Sequence, residues 1–167
     1  MKNTTRKIVI TALFSALTCV ATLIIRIPSP IGGYLNVGDA LVILSGGMLS
    51  PLFAFLAGGL GSLLADVISG YMIYAPATFL IKGAMALTVS LGGVLLKRKM
   101  KAFVSQICLG AIAEVIMVLG YYVFEGFIYG FIPAAVNIIP NAVQGAVGLV
   151  FGTLLVGALA KAKVRLK

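Results

Sequence analysis

Apolar residues run almost unbroken along this chain, and the few interruptions set its organisation. The first run, residues 8–25, has 18 residues, enough to cross a bilayer with little tilt. Arg26 and the string Ile27-Pro28-Ser29-Pro30-Ile31-Gly32-Gly33-Tyr34 end it, and their prolines and glycines predict a loop. The second run, residues 37–49, is short for a span, with Asn36 or Asp39 as a candidate helix cap. Ser50-Pro51 closes it, and Pro51 suits the first turn of a third run reaching about Ser69. A turn over residues 70–75 follows, and Pro76 opens a fourth run that ends at Leu96. Beyond the basic stretch 97–101 lie a fifth run, 102–124, a connection over 125–132, a sixth run from Pro133 to about Ala160 and a basic tail. The pattern predicts an all-α membrane protein of six transmembrane helices in one bundle, a single domain over residues 1–167.

Composition agrees. Hydrophobic residues make up 61% of the chain and charged residues 10%, against about 25% charge in soluble domains. The net charge of +9 raises nucleic acid as a partner, but the cations cluster at the ends of apolar runs, as the positive-inside bias requires. With both termini in the cytosol, eleven of the thirteen Lys and Arg residues fall on one side, leaving Arg26 and Lys82. This predicts a multi-pass protein of a prokaryotic plasma membrane, with no nucleic-acid partner. The first run is longer than the core of a secretion signal and lacks a small-x-small cleavage site, so it reads as a retained helix. Cys19 and Cys108 lie inside apolar runs and read as packing thiols.

Against this background the polar residues stand out. The stretch 58–82 carries Asp66 late in one run and Lys82 two turns into the next, with Tyr71 and Tyr74 between them. Charge at membrane depth costs about 2.5–3.5 kcal/mol per residue and normally faces a protein interior. Asp66 and Lys82 are therefore either a structural ion pair or part of a pocket. All four acids, Asp39, Asp66, Glu114 and Glu125, fall at or beyond the membrane centre on the outer side. Asn137, Asn141 and Gln144 recur at i, i+4 and i+7, on one helix face, as pocket groups or as interhelical hydrogen-bond partners. Glu114 reads as a substrate contact, a proton relay or a partner to a neighbouring helix. Tyr34, Asn36, Tyr74 and Tyr121 complete the candidate substrate-binding set of an outward-facing pocket under the first outer loop.

Much is excluded. No phosphate-cradling glycine loop is present, so any ATP site belongs to another subunit. Without histidine there is no Ser-His or Cys-His nucleophile, and no metal-ligand spacing appears. The chain reads as no enzyme and as needing no cofactor.

Several blocks carry a family resemblance: Tyr34-Leu35-Asn36-Val37-Gly38-Asp39-Ala40, Gly58-Gly59-Leu60-Gly61-Ser62 with Asp66, Gly70-Tyr71, and Tyr74-Ala75-Pro76-Ala77-Thr78-Phe79-Leu80-Ile81-Lys82-Gly83. Together they resemble the substrate-binding S components of energy-coupling factor (ECF) vitamin transporters, nearest the riboflavin-type branch. The resemblance implies capture of a vitamin-like small molecule outside the cell, a transmembrane coupling subunit and two cytosolic ATPase subunits as partners, and a toppling motion that delivers the ligand. It also implies that Ala12 and Ala16, an Ala-x-x-x-Ala pair, dock on the coupling subunit. The amides, lysine, carboxyl and tyrosines suit a flat heteroaromatic with hydroxyl groups: a vitamin B6 form or hydroxymethylpyrimidine first, riboflavin next. The competing readings are a stand-alone proton-coupled carrier using Glu114 and a structural membrane subunit with no ligand.

Overall fold

The computed structural model describes residues 2–96 and 101–162. The basic stretch 97–100 and residues 163–167 of the tail, which weigh in the orientation argument, lie outside the described residues. The elements are α1 (Lys2–Ile24), β1 (Ile27–Pro28), β2 (Tyr34–Leu35), α2 (Asp39–Met48), α3 (Pro51–Ile68), α4 (Ala75–Leu96), α5 (Ala102–Tyr129), α6 (Phe131–Ala134), a 3₁₀ turn (Ala135–Asn137) and α7 (Ile138–Lys161).

Five helical stretches are long and apolar enough to cross a membrane: Thr4–Ile24, Pro51–Ile68, Ala75–Leu96, Ala102–Tyr129 and Phe131–Lys161. The second apolar run is different. Its helix, α2, has ten residues, about 15 Å at 1.5 Å per residue, half the thickness of a bilayer core. It is also the most enclosed element, with Val42 and Ile43 fully buried and α3, α4 and α7 packed around it. A helix apolar on all sides belongs in an interior. Its last carbonyls are capped from outside: the Ser90 hydroxyl donates to the Leu49 carbonyl at 2.6 Å. The core continues from Val42 and Leu44 through Ala54 and Ala57 of α3 and Met85, Ala86 and Val89 of α4 to Ala113 and Met117 of α5.

Helix α1 is apolar on its outside and polar within. Thr11, Ser15, Thr18 and Thr22 are buried, while Ile8, Val9, Leu13, Leu17 and Val20 are exposed to the lipid side. The small-residue stripes bring helices close. A Cβ at Gly148 of α7 would fall 2.6 Å from Asp39 Cβ and 2.7 Å from Glu114 Oε1, so only glycine lets α7 lie against the start of α2.

Two boundaries differ from the sequence expectation, for local reasons. The helix α5 continues through residues 125–129, which were expected as a connection, because nothing breaks it before Gly130, whose φ of 92° suits glycine. The chain then turns into α6 and runs through the 3₁₀ segment to α7. All of it is one helical stretch, Phe131–Lys161, and the 3₁₀ tightening lies just ahead of Pro140, whose ring cannot donate the N–H that an α-helical bond to Val136 would need. Finally, Cys108 is exposed on α5, so only Cys19 is a packing thiol; both are free.

Candidate functional site

The loop between α1 and α2 is a small antiparallel hairpin, with Ile27 opposite Leu35 and Pro28 opposite Tyr34. Gly33, at φ 73°, makes its turn. The hairpin folds over the end of the bundle where α1 and α3 finish and α4 and α7 begin. Hydrogen bonds to three different elements fasten it. The Tyr34 hydroxyl donates to Asp66 Oδ1 of α3 at 2.7 Å. The Asn36 backbone N–H donates to Gln144 Oε1 of α7 at 2.8 Å. The Asn137 amide of the 3₁₀ turn donates to the Gly32 carbonyl at 3.3 Å.

Beneath the hairpin lies a cavity of about 30 Å³, space on the scale of a water molecule. Its lining is rich in hydroxyls, with Thr22, Ser29, Ser62, Thr78, Tyr34, Tyr71, Tyr74 and Tyr121 contributing, and the amides are Asn36, Asn141 and Gln144. The tyrosines form a connected wall. The Tyr34 and Tyr71 rings are 4.9 Å apart between centroids, Tyr71 and Tyr74 meet edge-on at 6.1 Å, and Tyr74 packs on Phe124 at 5.2 Å. The Tyr121 hydroxyl pairs with Thr78 Oγ1 at 3.0 Å. Asp66, Lys82 and Glu125 are the charged residues of the lining.

Electrostatic pairing differs from the sequence expectation. Lys82 does not close an ion pair with Asp66; its ammonium donates to Asp39 Oδ1. Both members are buried, Asp39 completely and Lys82 with 2% of its surface exposed. Gln144 completes the arrangement by donating Nε2 to Asp39 Oδ2 at 2.7 Å, while its carbonyl holds the hairpin. The ammonium also lies 5.5 Å from the centroid of the Tyr121 ring. Asp39 thus makes no side-chain cap of its own helix. Instead Asn36 Oδ1 accepts the Gly38 N–H at 2.9 Å.

Seven of the nine residues predicted for substrate binding line this one cavity: Tyr34, Asn36, Tyr74, Lys82, Tyr121, Asn141 and Gln144. Asn137 and Glu114 do not. Asn137 is fully buried to one side, bonded to Glu125 Oε1 at 3.0 Å and to the hairpin. Glu114 lies two turns before Tyr121 along α5, with its carboxyl behind the Asp39–Lys82 pair rather than in the lining. It lines a separate apolar groove between α5 and α7, where Gly145 and Gly148 pass over its carboxyl. Replacing Glu114 with Gln is therefore expected to change ligand affinity less than about threefold in a binding titration; a tenfold loss would return Glu114 to the site. Sequence reasoning missed Thr22, Ser29, Ser62 and Thr78. For Thr22 the signal was present, since Thr11, Ser15, Thr18 and Thr22 recur at helical spacing on one face of α1.

Among the described residues no group of His, Cys, Asp and Glu could hold a metal ion. The arrangement can do two things chemically: it can stack a flat ring on phenols, and it can exchange hydrogen bonds with a polar rim.

Comparison with known proteins agrees in fold and family. A solved structure described as "Structure and mechanism of the S component of a bacterial ECF transporter" superposes with a TM-score of 0.76 over 97% of this chain and 99% of that one, at 23% identity. An "Uncharacterized protein in gap 3'region" from Pyrococcus woesei is 36% identical over 135 residues, 80% of this chain and 87% of that protein. The model of the family described as "ECF-type riboflavin transporter, S component" matches residues 2–161. With that match over nearly its whole length, this multi-pass membrane chain belongs to the family of S components of ECF-type riboflavin transporters, the substrate-binding subunits of vitamin transporters.

Proposed function

We propose that this protein captures a flat, hydroxylated heteroaromatic vitamin at the outer face of a prokaryotic plasma membrane. It passes the ligand to an ECF module made of a transmembrane coupling subunit and two cytosolic ATPases. The observation that carries this reading is the tyrosine- and hydroxyl-lined cavity at the end of the bundle opposite Lys7, Lys101 and Lys161. Positive-inside bias puts those basic ends in the cytosol and the cavity outside. In this topology the hairpin and α2 make one crossing between them. Irregular backbone at that depth is tolerated because it is covered by protein and lines a cavity.

Ligand pockets usually measure about 300–1,000 Å³, so a cavity of about 30 Å³ is a closed arrangement. Entry of a vitamin displaces the hairpin and rotates the tyrosines. Riboflavin, the vitamin in the family's description, shares the required chemistry with vitamin B6 forms and hydroxymethylpyrimidine, and the two smaller rings need less displacement.

The test is uptake into proteoliposomes. An S component alone binds its vitamin without concentrating it; with the coupling subunit and ATPases present, ATP drives accumulation. Uptake by the protein alone under a proton gradient would overturn this reading in favour of a self-contained carrier.

A further inference from the structure

Two carboxylates in the cavity lining are only half used. Asp66 and Glu125 are buried, with 6% and 3% of their surfaces exposed. In each, one oxygen is fixed by the protein. Asp66 Oδ1 accepts from Tyr34 at 2.7 Å. Glu125 Oε1 accepts from the Asn137 amide at 3.0 Å and the Tyr74 hydroxyl at 3.3 Å. The second oxygen of each, Asp66 Oδ2 and Glu125 Oε2, makes no hydrogen bond. Thr78 lies beside Asp66, with its hydroxyl engaged by Tyr121 at 3.0 Å. A buried acceptor without a donor is costly, more so when charged. Native structures keep such atoms where something else satisfies them.

The charge pattern around these atoms is one-sided. Lys82 is the only cation in the lining among the described residues, and Asp39 neutralises it. What remains in the lining is acidic: two carboxyl groups, each with one oxygen already held by the protein.

We propose that Asp66 and Glu125 set ligand specificity: their free oxygens accept hydrogen bonds from hydroxyl or N–H groups of the vitamin and repel phosphorylated forms. Both effects come from the same atoms. A ligand donor satisfies the open acceptor in a low-dielectric site, where the bond is strong. A phosphate brings two negative charges to a cavity with no uncommitted cation to meet them. Selection by repulsion of the wrong ligand is a normal route to specificity. This inference rests on the vitamin-binding reading above and refines it.

The experiment compares four probes on the purified full-length protein in detergent: riboflavin, riboflavin 5′-phosphate, pyridoxine and pyridoxal 5′-phosphate. In the wild type the neutral vitamin that binds is expected to do so at least 100-fold more tightly than its phosphorylated partner. Asp66→Asn and Glu125→Gln keep side-chain size and one acceptor but remove the charge. Each is expected to weaken the neutral vitamin and to shrink the neutral-to-phosphorylated ratio at least tenfold. Because size is held constant, steric exclusion of the phosphate alone would leave the ratio unchanged. Wild-type affinities within threefold of each other, or an unchanged ratio in both variants, overturn the proposal and leave vitamin capture standing. If a variant does not fold, the wild-type ratio still decides. If neither these probes nor hydroxymethylpyrimidine binds the wild type, this proposal and the vitamin reading fail together.

Discussion

Replacing Lys82 with Met is expected to destabilise the protein by about 3–5 kcal/mol, the usual cost of stranding one member of a buried ion pair. The partner left behind is Asp39, which has no exposed surface and keeps only the Gln144 amide as a donor. The damage spreads beyond the pair. Asp39 begins α2, the helix at the centre of the packing, and Gln144 ties the same carboxylate to the hairpin. Ligand binding should therefore fall with stability, because hairpin, α2 and α7 share one polar junction. The double variant Lys82→Met with Asp39→Asn removes both charges and is expected to recover most of the lost stability, since a neutral replacement for a buried pair is often tolerated. Asp66→Asn is the control. Asp66 accepts a hydrogen bond from Tyr34 and closes no ion pair within bonding distance, so its loss should cost clearly less. Unfolding curves in detergent for the four proteins decide the matter. If the Lys82 variant melts like the wild type, or if Asp66→Asn costs as much, the assignment of the pair is wrong.

Changing Ala12 and Ala16 to Leu together is expected to leave vitamin affinity within about threefold while reducing ATP-driven uptake to a small fraction of normal. Both alanines are exposed on the outer face of α1, whose opposite face is filled by Thr11, Ser15, Thr18 and Thr22. The bulk added to that face meets nothing in this chain, so folding and the cavity are spared. A close helix–helix approach to another subunit, which depends on small residues, is not. The double variant should still bind in isolation and fail to co-purify with the coupling subunit. Transport at the wild-type rate would show that docking uses another face.

The long helices could be read from the sequence because each is a run of 18 or more apolar residues bounded by proline, glycine or charge. That signal is local and needs no partner. Helix α2 could be read as short and apolar, but not as the enclosed centre of the bundle, because enclosure depends on α3, α4 and α7 arriving around it.

The site was legible to the extent that polar residues at membrane depth must face inward. This is why Tyr34, Asn36, Lys82, Asn141 and Gln144 fall together. Pairing was not legible. Asp39 and Lys82 are 43 positions apart, and nothing in the spacing favours Asp39 over Asp66 as the partner. Depth was not legible either. Glu114 and Tyr121 share a face of α5 at i and i+7, yet one lines the cavity and the other lies two turns below it. Asn137 follows the spacing of Asn141 and Gln144, but the local tightening to a 3₁₀ turn at residues 135–137 sets it to one side, where it holds Glu125 and the hairpin.

The most direct test of vitamin capture is mass spectrometry of small molecules released from the protein after purification in mild detergent, with binding titrations of the compound found. A hydroxylated, unphosphorylated heteroaromatic vitamin at near-stoichiometric amount, rebinding to the emptied protein, is the predicted result. A protein that carries no such compound, and whose melting temperature does not move with riboflavin, pyridoxine or hydroxymethylpyrimidine, would contradict it.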